Sequence, residues 1–422
     1  MCWEGTIGSV RFSRGRRPVK VFLRDGKLVT LMLGHLTVDS YVGVIPVLYP
    51  LLIGRFEVNF ATVGLVSLAY SGAAAVFQPL FGILADRYGT RLTGLALVWT
   101  AVTFALVGFV PSFPLLVALA FFSGLGSGLF HPFGALDVRA LLPKRSLSTG
   151  MSIYVTAGTV GVALGPLIGI ALFGLFGLHG TGLLVIPGIA TGAYLLWRMR
   201  AAGPAGAGAK RAVAGARRAA PVIALAAVIG VMASRSWTVA VFQAFTPTWY
   251  KQLGYGPEFY GPLATTLVLA SAAGTVGVGA LADRFGRKTL IIGTLVLSIP
   301  AILLFTIFPG PWAFGSAILI GLLAASTAPL MLLMAQQLMA SRAGLASGLV
   351  MGLGFVTAAI GVPINGAIAD AVGLQRSLMS HVILVLVTIG VAWLLPSEKE
   401  MERYAAPPAP AASEPLQPSV AT

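Results

Sequence analysis

Long apolar stretches dominate the chain, and short polar segments separate them. They cover residues 28–53, 61–85, 93–110, 115–135, 151–172, 180–197, 222–249, 259–282, 289–308, 313–339, 345–369 and 377–395. A helix needs about 20 apolar residues to cross a hydrocarbon core of about 30 Å, and each stretch meets or approaches that length. The runs are continuous rather than alternating, which argues against the period-two pattern of a membrane β-barrel. The pattern therefore predicts an all-α integral membrane protein with twelve transmembrane helices. Residues 198–220, rich in Gly, Ala and Arg and free of acids, read as a flexible linker between two six-helix halves, 28–197 and 221–395. Residues 1–27 form a basic, polar N-terminal segment. The first span lacks a small-residue cleavage site and is read as retained. The tail, 396–422, starts with a charged run, turns Pro/Ala-rich and is expected to be disordered.

Composition narrows the class further. Hydrophobic residues make up 57% and charged residues 10%, against roughly 25% charged in soluble domains. That excludes an ordinary soluble enzyme, a disordered protein and a disulfide-rich secreted domain. Cys2 is the single cysteine, so no internal disulfide and no cysteine-based metal site is expected. The net charge of +15 is a topology signal. With the N-terminus inside, 24 of the 28 Lys and Arg residues fall in inner segments, and the outer loops hold only Arg55, Lys251 and Arg376. Basic residues stay on the cytoplasmic side, so both termini are expected there, in the inner (cytoplasmic) membrane. The basic segments imply anionic inner-leaflet lipid as partner. No basic patch interleaved with aromatics points to nucleic acid, and a monomer is expected.

The halves repeat. GILADRYGTR (82–91) and GALADRFGRK (279–288) share an offset of 197, as do Arg145 and Arg342. In each copy, Gly82 or Gly279 permits helix approach, Asp86 or Asp283 can cap a helix or pair with arginine, and Gly89 or Gly286 permits a tight turn. Arg87, Arg91, Arg284, Arg287 and Lys288 hold the loops at the inner face. Repeated halves with a site between them are the architecture of a secondary transporter. In the fifth span, Gly161, Gly165, Pro166 and Gly169 lie in GVALGPLIG. Gly161 and Gly165 sit one turn apart and offer a smooth strip for close helix packing, and Pro166 bends the helix.

These motifs resemble the major facilitator superfamily: the repeated loop is similar to its signature loop, and the fifth-span glycines resemble its antiporter motif. The resemblance implies a two-half major facilitator fold and a loop that latches the halves in one state. GHLTVDSY (34–41), GLGSGLFHP (124–132), SRS (234–236) and AQQLMASRAGLASGL (335–349) resemble the fosmidomycin-resistance transporters within that superfamily, which implies export.

Ionisable groups inside a membrane are expensive and usually functional. Asp39 and Arg235 lie at similar depth on corresponding spans, so they are expected to face one cavity, either as a structural ion pair or as proton carrier and anion contact. His35, one turn before Asp39, is expected to tune it, and His131 is either a helix-packing histidine or a second proton group. Gln243, Tyr41 and Gln78, with Gln336 and Asn365, either line the cavity or join helices. No nucleotide-binding loop, metal-ligand spacing or nucleophile–base pair stands out, so no cofactor, metal or catalytic residue is expected. The expectation is a proton-coupled exporter of a small drug-like or anionic compound. An importer on the same fold, and a membrane sensor or scaffold that transports nothing, are the alternatives.

The charge distribution yields a test. Single cysteines placed within 201–215, on a Cys2→Ser background, are expected to resist an impermeant thiol reagent in intact cells and to react in inverted vesicles. Labelling from outside intact cells would overturn the span assignment.

Overall fold

The computed structural model describes residues 25–88, 92–142, 147–199, 221–324, 327–339 and 343–405. The N-terminal half comprises α1 (Gly26–Phe56), α2 (Phe60–Tyr88), α3 (Thr93–Ala105, continued by a 3-10 turn, Leu106–Phe109), α4 (Phe113–Leu141), α5 (Leu147–Phe176) and α6 (Val185–Arg198). The C-terminal half comprises α7 (Val222–Gln252), α8 (Pro257–Phe285), α9 (Arg287–Ile307), α10 (Ala313–Ala324), α11 (Ala328–Leu338), α12 (Ala343–Val372), α13 (Leu374–Met379) and α14 (His381–Ala392), and a terminal helix α15 (Glu398–Ala405) follows. Each apolar stretch read from the sequence coincides with a helix or a helix pair. Among the described residues, nine helical stretches are long and apolar enough to cross a membrane. One of these, Ile153–Arg198, folds back through a 3-10 segment, Gly177–Leu184, into α5 and α6.

Local chemistry sets several of these boundaries. Asp25 starts α1 by accepting bonds from the N–H groups of Lys27 and Leu28 at 3.0 and 3.2 Å, the usual N-cap arrangement. Gly286, at φ 81°, separates α8 from α9, a conformation glycine reaches without Cβ strain. The stretch 313–339, expected as one span, is one apolar helical stretch, Ala313–Leu338, described as α10 and α11 on either side of residues 325–326, which lie outside the described residues. Pro329 stands in the first turn of α11, where its missing N–H is tolerated. The tail departs from expectation: 398–405 is helical rather than disordered. Ser397 and Glu400 form a capping box, in which the N–H and Oγ of Ser397 donate to Glu400 Oε2, both at 2.7 Å. Those bonds hold the Glu400 carboxyl below its ordinary range. Glu398 Oε1 accepts from the backbone N–H of Arg287 at 2.7 Å, which docks α15 on the α8–α9 turn.

Packing repeats between the halves. In the first, α1 packs on α5, α2 on α4 and α3 on α6; in the second, α7 packs on α12, α8 on α10 and α9 on α14. Between halves, α2 meets α12 and α5 meets α8, which are symmetry mates of one another. The α1–α5 contact rests on glycine, as the motif implied. A Cβ on Gly161 would collide with the backbone of Leu36, and one on Gly165 with the backbone of Gly43.

The halves close at one end. Asp370, on α12, accepts bonds from the N–H groups of Phe60 and Ala61 at 2.8 and 2.9 Å, capping the start of α2 across the interface. Gly64 abuts Pro363, Gly366 abuts Phe60, and Lys251 donates to the carbonyl of Pro50 at 3.3 Å. This is the end opposite the 198–221 connection. Toward the connection end the same α2 stripe continues through Val76, Leu80 and Ile83, which are 61%, 55% and 65% exposed. Opposite, Phe355 of α12 is exposed and Gly352 has open space beside it. The interface is therefore a wedge, shut at the Asp370 end and open at the linker end.

Removing the clasp should release the shut end. Hydrogen bonds to a charged acceptor contribute about 1.5–3 kcal/mol each, so Asp370→Ala is expected to raise thiol labelling from outside of a Gly72→Cys reporter, where a Cβ meets Ala359 of α12 without collision, by about tenfold or more. Unchanged labelling would remove Asp370 from the closure.

Candidate functional site

Thirteen residues into α1, about 20 Å along its axis, Asp39 lies at the centre of a three-residue cluster. His35, one turn earlier on the same face, approaches Asp39 Oδ2 with Nε2 at 3.2 Å. His131 arrives from α4, with Nε2 3.1 Å from Asp39 Oδ1. The other nitrogen of each ring is also engaged. His35 Nδ1 donates to the carbonyl of Tyr154 on α5 at 2.9 Å, and His131 Nδ1 donates to the carbonyl of Ser127 at 2.7 Å. A carbonyl can only accept, so both Nδ1 atoms carry hydrogen. Each ring's remaining nitrogen therefore faces a carboxylate that is itself an acceptor unless protonated.

Neighbouring side chains fix this geometry. The Tyr154 ring lies 4.3 Å from that of His35, and the two imidazoles meet edge-on at 5.1 Å. Gly158 is the residue that admits the cluster, because a Cβ there would strike Asp39 Oδ2 and His35 Nε2. The side chains of His35, Asp39 and His131 are 6%, 14% and 29% exposed, so the cluster opens on the His131 side.

Arg235 lies as far into α7 as Asp39 lies into α1, yet it is not Asp39's partner. Its Nη1 donates to the carbonyls of Leu323 and Ala324 at 2.7 and 2.9 Å. Its Nη2 donates to Thr294 Oγ1 at 2.6 Å and to the carbonyl of Ile291 at 3.3 Å. Leu323 and Ala324 lie in the last described turn of α10. The guanidinium therefore ties α7 to carbonyls of α10 and to α9. The expected Asp39–Arg235 pair is thus replaced by two separate constellations. Equal depth does not fix direction around a helix, which is why the pairing failed.

Other sequence candidates separate in the same way. Tyr41 is fully buried and donates to the carbonyl of Leu184 at 2.9 Å, joining α1 to the approach to α6. Asn365 accepts from Trp237 Nε1 at 2.7 Å and donates to Ser377 Oγ at 3.1 Å, so it ties α12 to α7 and α13. Gln243 and Gln78 are half-buried. Gly169 faces Val47 of α1, whereas Gly82 has open space where a neighbouring helix was expected. In the second signature loop, Arg287 donates to Gln337 Oε1 at 2.6 Å, Lys288 to the carbonyl of Trp393 at 2.7 Å, and Arg284 lies over Phe285. Gly89 and Arg91 lie outside the described residues, as do the side-chain surroundings of Asp86, Arg87, Gly279 and Asp283.

Sequence reading also missed features. His35, Asp39 and His131 form a potential metal-ligand cluster, contrary to the expectation of none, because the third donor is 92 residues from Asp39 and no short spacing motif announces it. Gly158, three residues before Gly161, gave no separate signal. His381 is buried, shares a 3.0 Å bond with Thr238 Oγ1, and its Nε2 has no partner.

Two pseudo-symmetric helical halves meeting in a wedge define a membrane transporter. The chain belongs to the major facilitator superfamily, whose family model matches residues 31–274 and 226–420. It is similar to an uncharacterized MFS-type transporter, YfnC, of Bacillus subtilis, 31% identical over 89% of this chain and 94% of that one. It is also similar to the fosmidomycin resistance protein of Escherichia coli, 26% identical over 83% and 88% of the two chains. The multi-drug resistance efflux pump PmrA of Streptococcus pneumoniae is 31% identical over 32% of this chain and 33% of its own. Among solved structures, a bacterial homolog of the human lysosomal transporter Spinster, in an inward-facing and occupied conformation, superposes with a TM-score of 0.75 at 16% identity, over 92% of this chain and 98% of that one.

The bonding of Arg235 yields an expected outcome. Arg235→Ala leaves buried carbonyls without their donor and should lower stability by about 2 kcal/mol or more, read as a fall in melting temperature in detergent. Arg235→Lys should recover part of the loss. An unchanged melting temperature for Arg235→Ala would mean that these bonds do not hold α7, α9 and α10 together.

Proposed function

We propose that the chain is a proton-coupled exporter of a small drug-like compound, working by alternating access in the inner membrane with both termini cytoplasmic. The carrying observation is the His35–Asp39–His131 cluster. With both Nδ1 atoms protonated, an empty cluster aims two bare Nε2 lone pairs at a carboxylate and carries −1. One added proton makes it neutral and a second makes it +1. Buried like-signed lone pairs are costly without a cation between them, so the group takes up protons as a unit. This extends the role first assigned to Asp39 to all three residues.

The wedge gives that charge change a route to transport. His131 is the most open member of the cluster, and protonation alters the charge on the wall of the N-terminal half. A change in site charge biases the two access states only through their different interactions with it. The shut end supplies the opposing gate, through Asp370 and the start of α2. Export is supported by the fifth-span glycines and by relatives whose names denote drug resistance and efflux. The compound is read as amphipathic rather than anionic, because all four bonds of Arg235 go to the protein. Protons, the substrate and anionic lipid are the partners; the protein works as a monomer.

Purified Asp39→Asn protein in liposomes is expected to lose pH-driven substrate flux by about tenfold or more, equivalent to about 1.4 kcal/mol, while retaining substrate counterflow. His131→Ala should weaken coupling in the same direction. Full gradient-driven flux from Asp39→Asn would place the proton elsewhere. In inverted vesicles, whose lumen corresponds to the outside of the cell, an acid lumen should drive the unaltered protein to load substrate into the lumen; substrate driven out of preloaded vesicles instead would reverse the direction.

A further inference from the structure

The same cluster carries the donor set of a metal site. One donor atom each from His35, Asp39 and His131 lies within 4.8 Å of the other two. Two imidazoles and a carboxylate suit a borderline divalent cation, with nitrogen and oxygen ligands at about 2.0–2.2 Å. A tetrahedron at those radii has edges of about 3.3 Å; His35 Nε2 lies 3.2 Å from Asp39 Oδ2 and His131 Nε2 3.1 Å from Oδ1, so each ring stands about one such edge from a different oxygen of the same carboxylate. The outer contacts agree. Metal-ligating histidines donate their second ring N–H to a carbonyl or carboxylate, which fixes tautomer and orientation. Here both Nδ1–H groups donate to backbone carbonyls, at 2.9 and 2.7 Å. The arrangement comes from three helices, α1, α4 and α5, so it is not a property of one helix face.

We infer that His35 Nε2, His131 Nε2 and the Asp39 carboxylate form a binding site for one Zn2+-class divalent cation, with a fourth position open on the His131 side. As the cation enters, any proton on Nε2 leaves to solvent and the two freed lone pairs coordinate. The charge balance is favourable: a divalent cation with two neutral imidazoles and one carboxylate sums to +1, the same as the doubly protonated cluster. The inference rests on the geometry of the donors and stands apart from the coupling reading, since binding is measured without transport.

The test uses full-length, tag-free protein in detergent, stripped with a chelator on a Cys2→Ser background. Zn2+ is titrated by calorimetry and Co2+ by visible absorption. One site per chain is expected, weakened by about 100-fold or more in Asp39→Asn and in His131→Ala. His131→Cys, at the most exposed of the three positions, should restore Co2+ binding and add a thiolate-to-cobalt charge-transfer band. That variant keeps the test open if the other two fail to fold. No site tighter than about 100 µM in the unaltered protein would overturn the inference. So would affinity unchanged in Asp39→Asn and His131→Ala, or a Co2+ complex of His131→Cys without the thiolate band. Proton-driven flux measured in chelator stays informative about coupling whichever way the binding result falls.

Discussion

Two imidazoles, each tied through Nδ1–H to a backbone carbonyl, aim their remaining nitrogens at one buried carboxylate. That surplus of acceptors is the constraint on which the N-terminal half depends. It demands positive charge between the rings, and the surrounding helices are shaped to hold it. α5 approaches α1 closely because Gly158, Gly161 and Gly165 remove the side chains that would keep them apart. The same approach brings the Tyr154 carbonyl to His35. A larger residue at 158 would displace the carboxylate itself, so the close packing of the fifth span and the chemistry of the cluster are one feature.

The C-terminal half answers with a fixed charge. At the corresponding depth, Arg235 is bound to the carbonyls of Leu323 and Ala324 on α10 and to Thr294 on α9. One half therefore carries a carboxylate flanked by two imidazoles and the other a guanidinium bonded to the fold. The halves meet through symmetry-related pairs, α2 with α12 and α5 with α8, and the contact is uneven along its length. Asp370 and the glycine–proline contact of Gly64 with Pro363 shut one end, while Val76, Leu80 and Ile83 stand bare at the other. On the coupling proposed above, a proton arriving at the cluster acts on a structure that already has one end shut and the other open.

The sequence disclosed the all-helical, two-half architecture because hydrophobic length is a one-dimensional signal. The positions of the apolar stretches, the repeat at offset 197 and the packing role of Gly161 and Gly165 were legible. What failed depended on direction around a helix or on distant pairing. Depth along the chain put Asp39 and Arg235 level but did not say which way each pointed. His131 reaches Asp39 from a position 92 residues away, so it was legible as a packing histidine or a second proton group but its contact with Asp39 was not. Tyr41 had the chemistry of a cavity wall and is instead a helix tie, since one hydroxyl serves either purpose equally well.

The protonation pattern of the two rings is the point on which the account turns. The chain has four histidines, so solid-state nitrogen NMR of protein labelled at histidine, assigned with single-histidine variants, resolves each ring directly. The account predicts that Nδ1 of His35 and of His131 carries hydrogen at every pH at which the protein is folded, with proton exchange confined to Nε2 and coupled between the two rings. Bare Nδ1 in either ring, or titration of one ring with no response in the other, would contradict it.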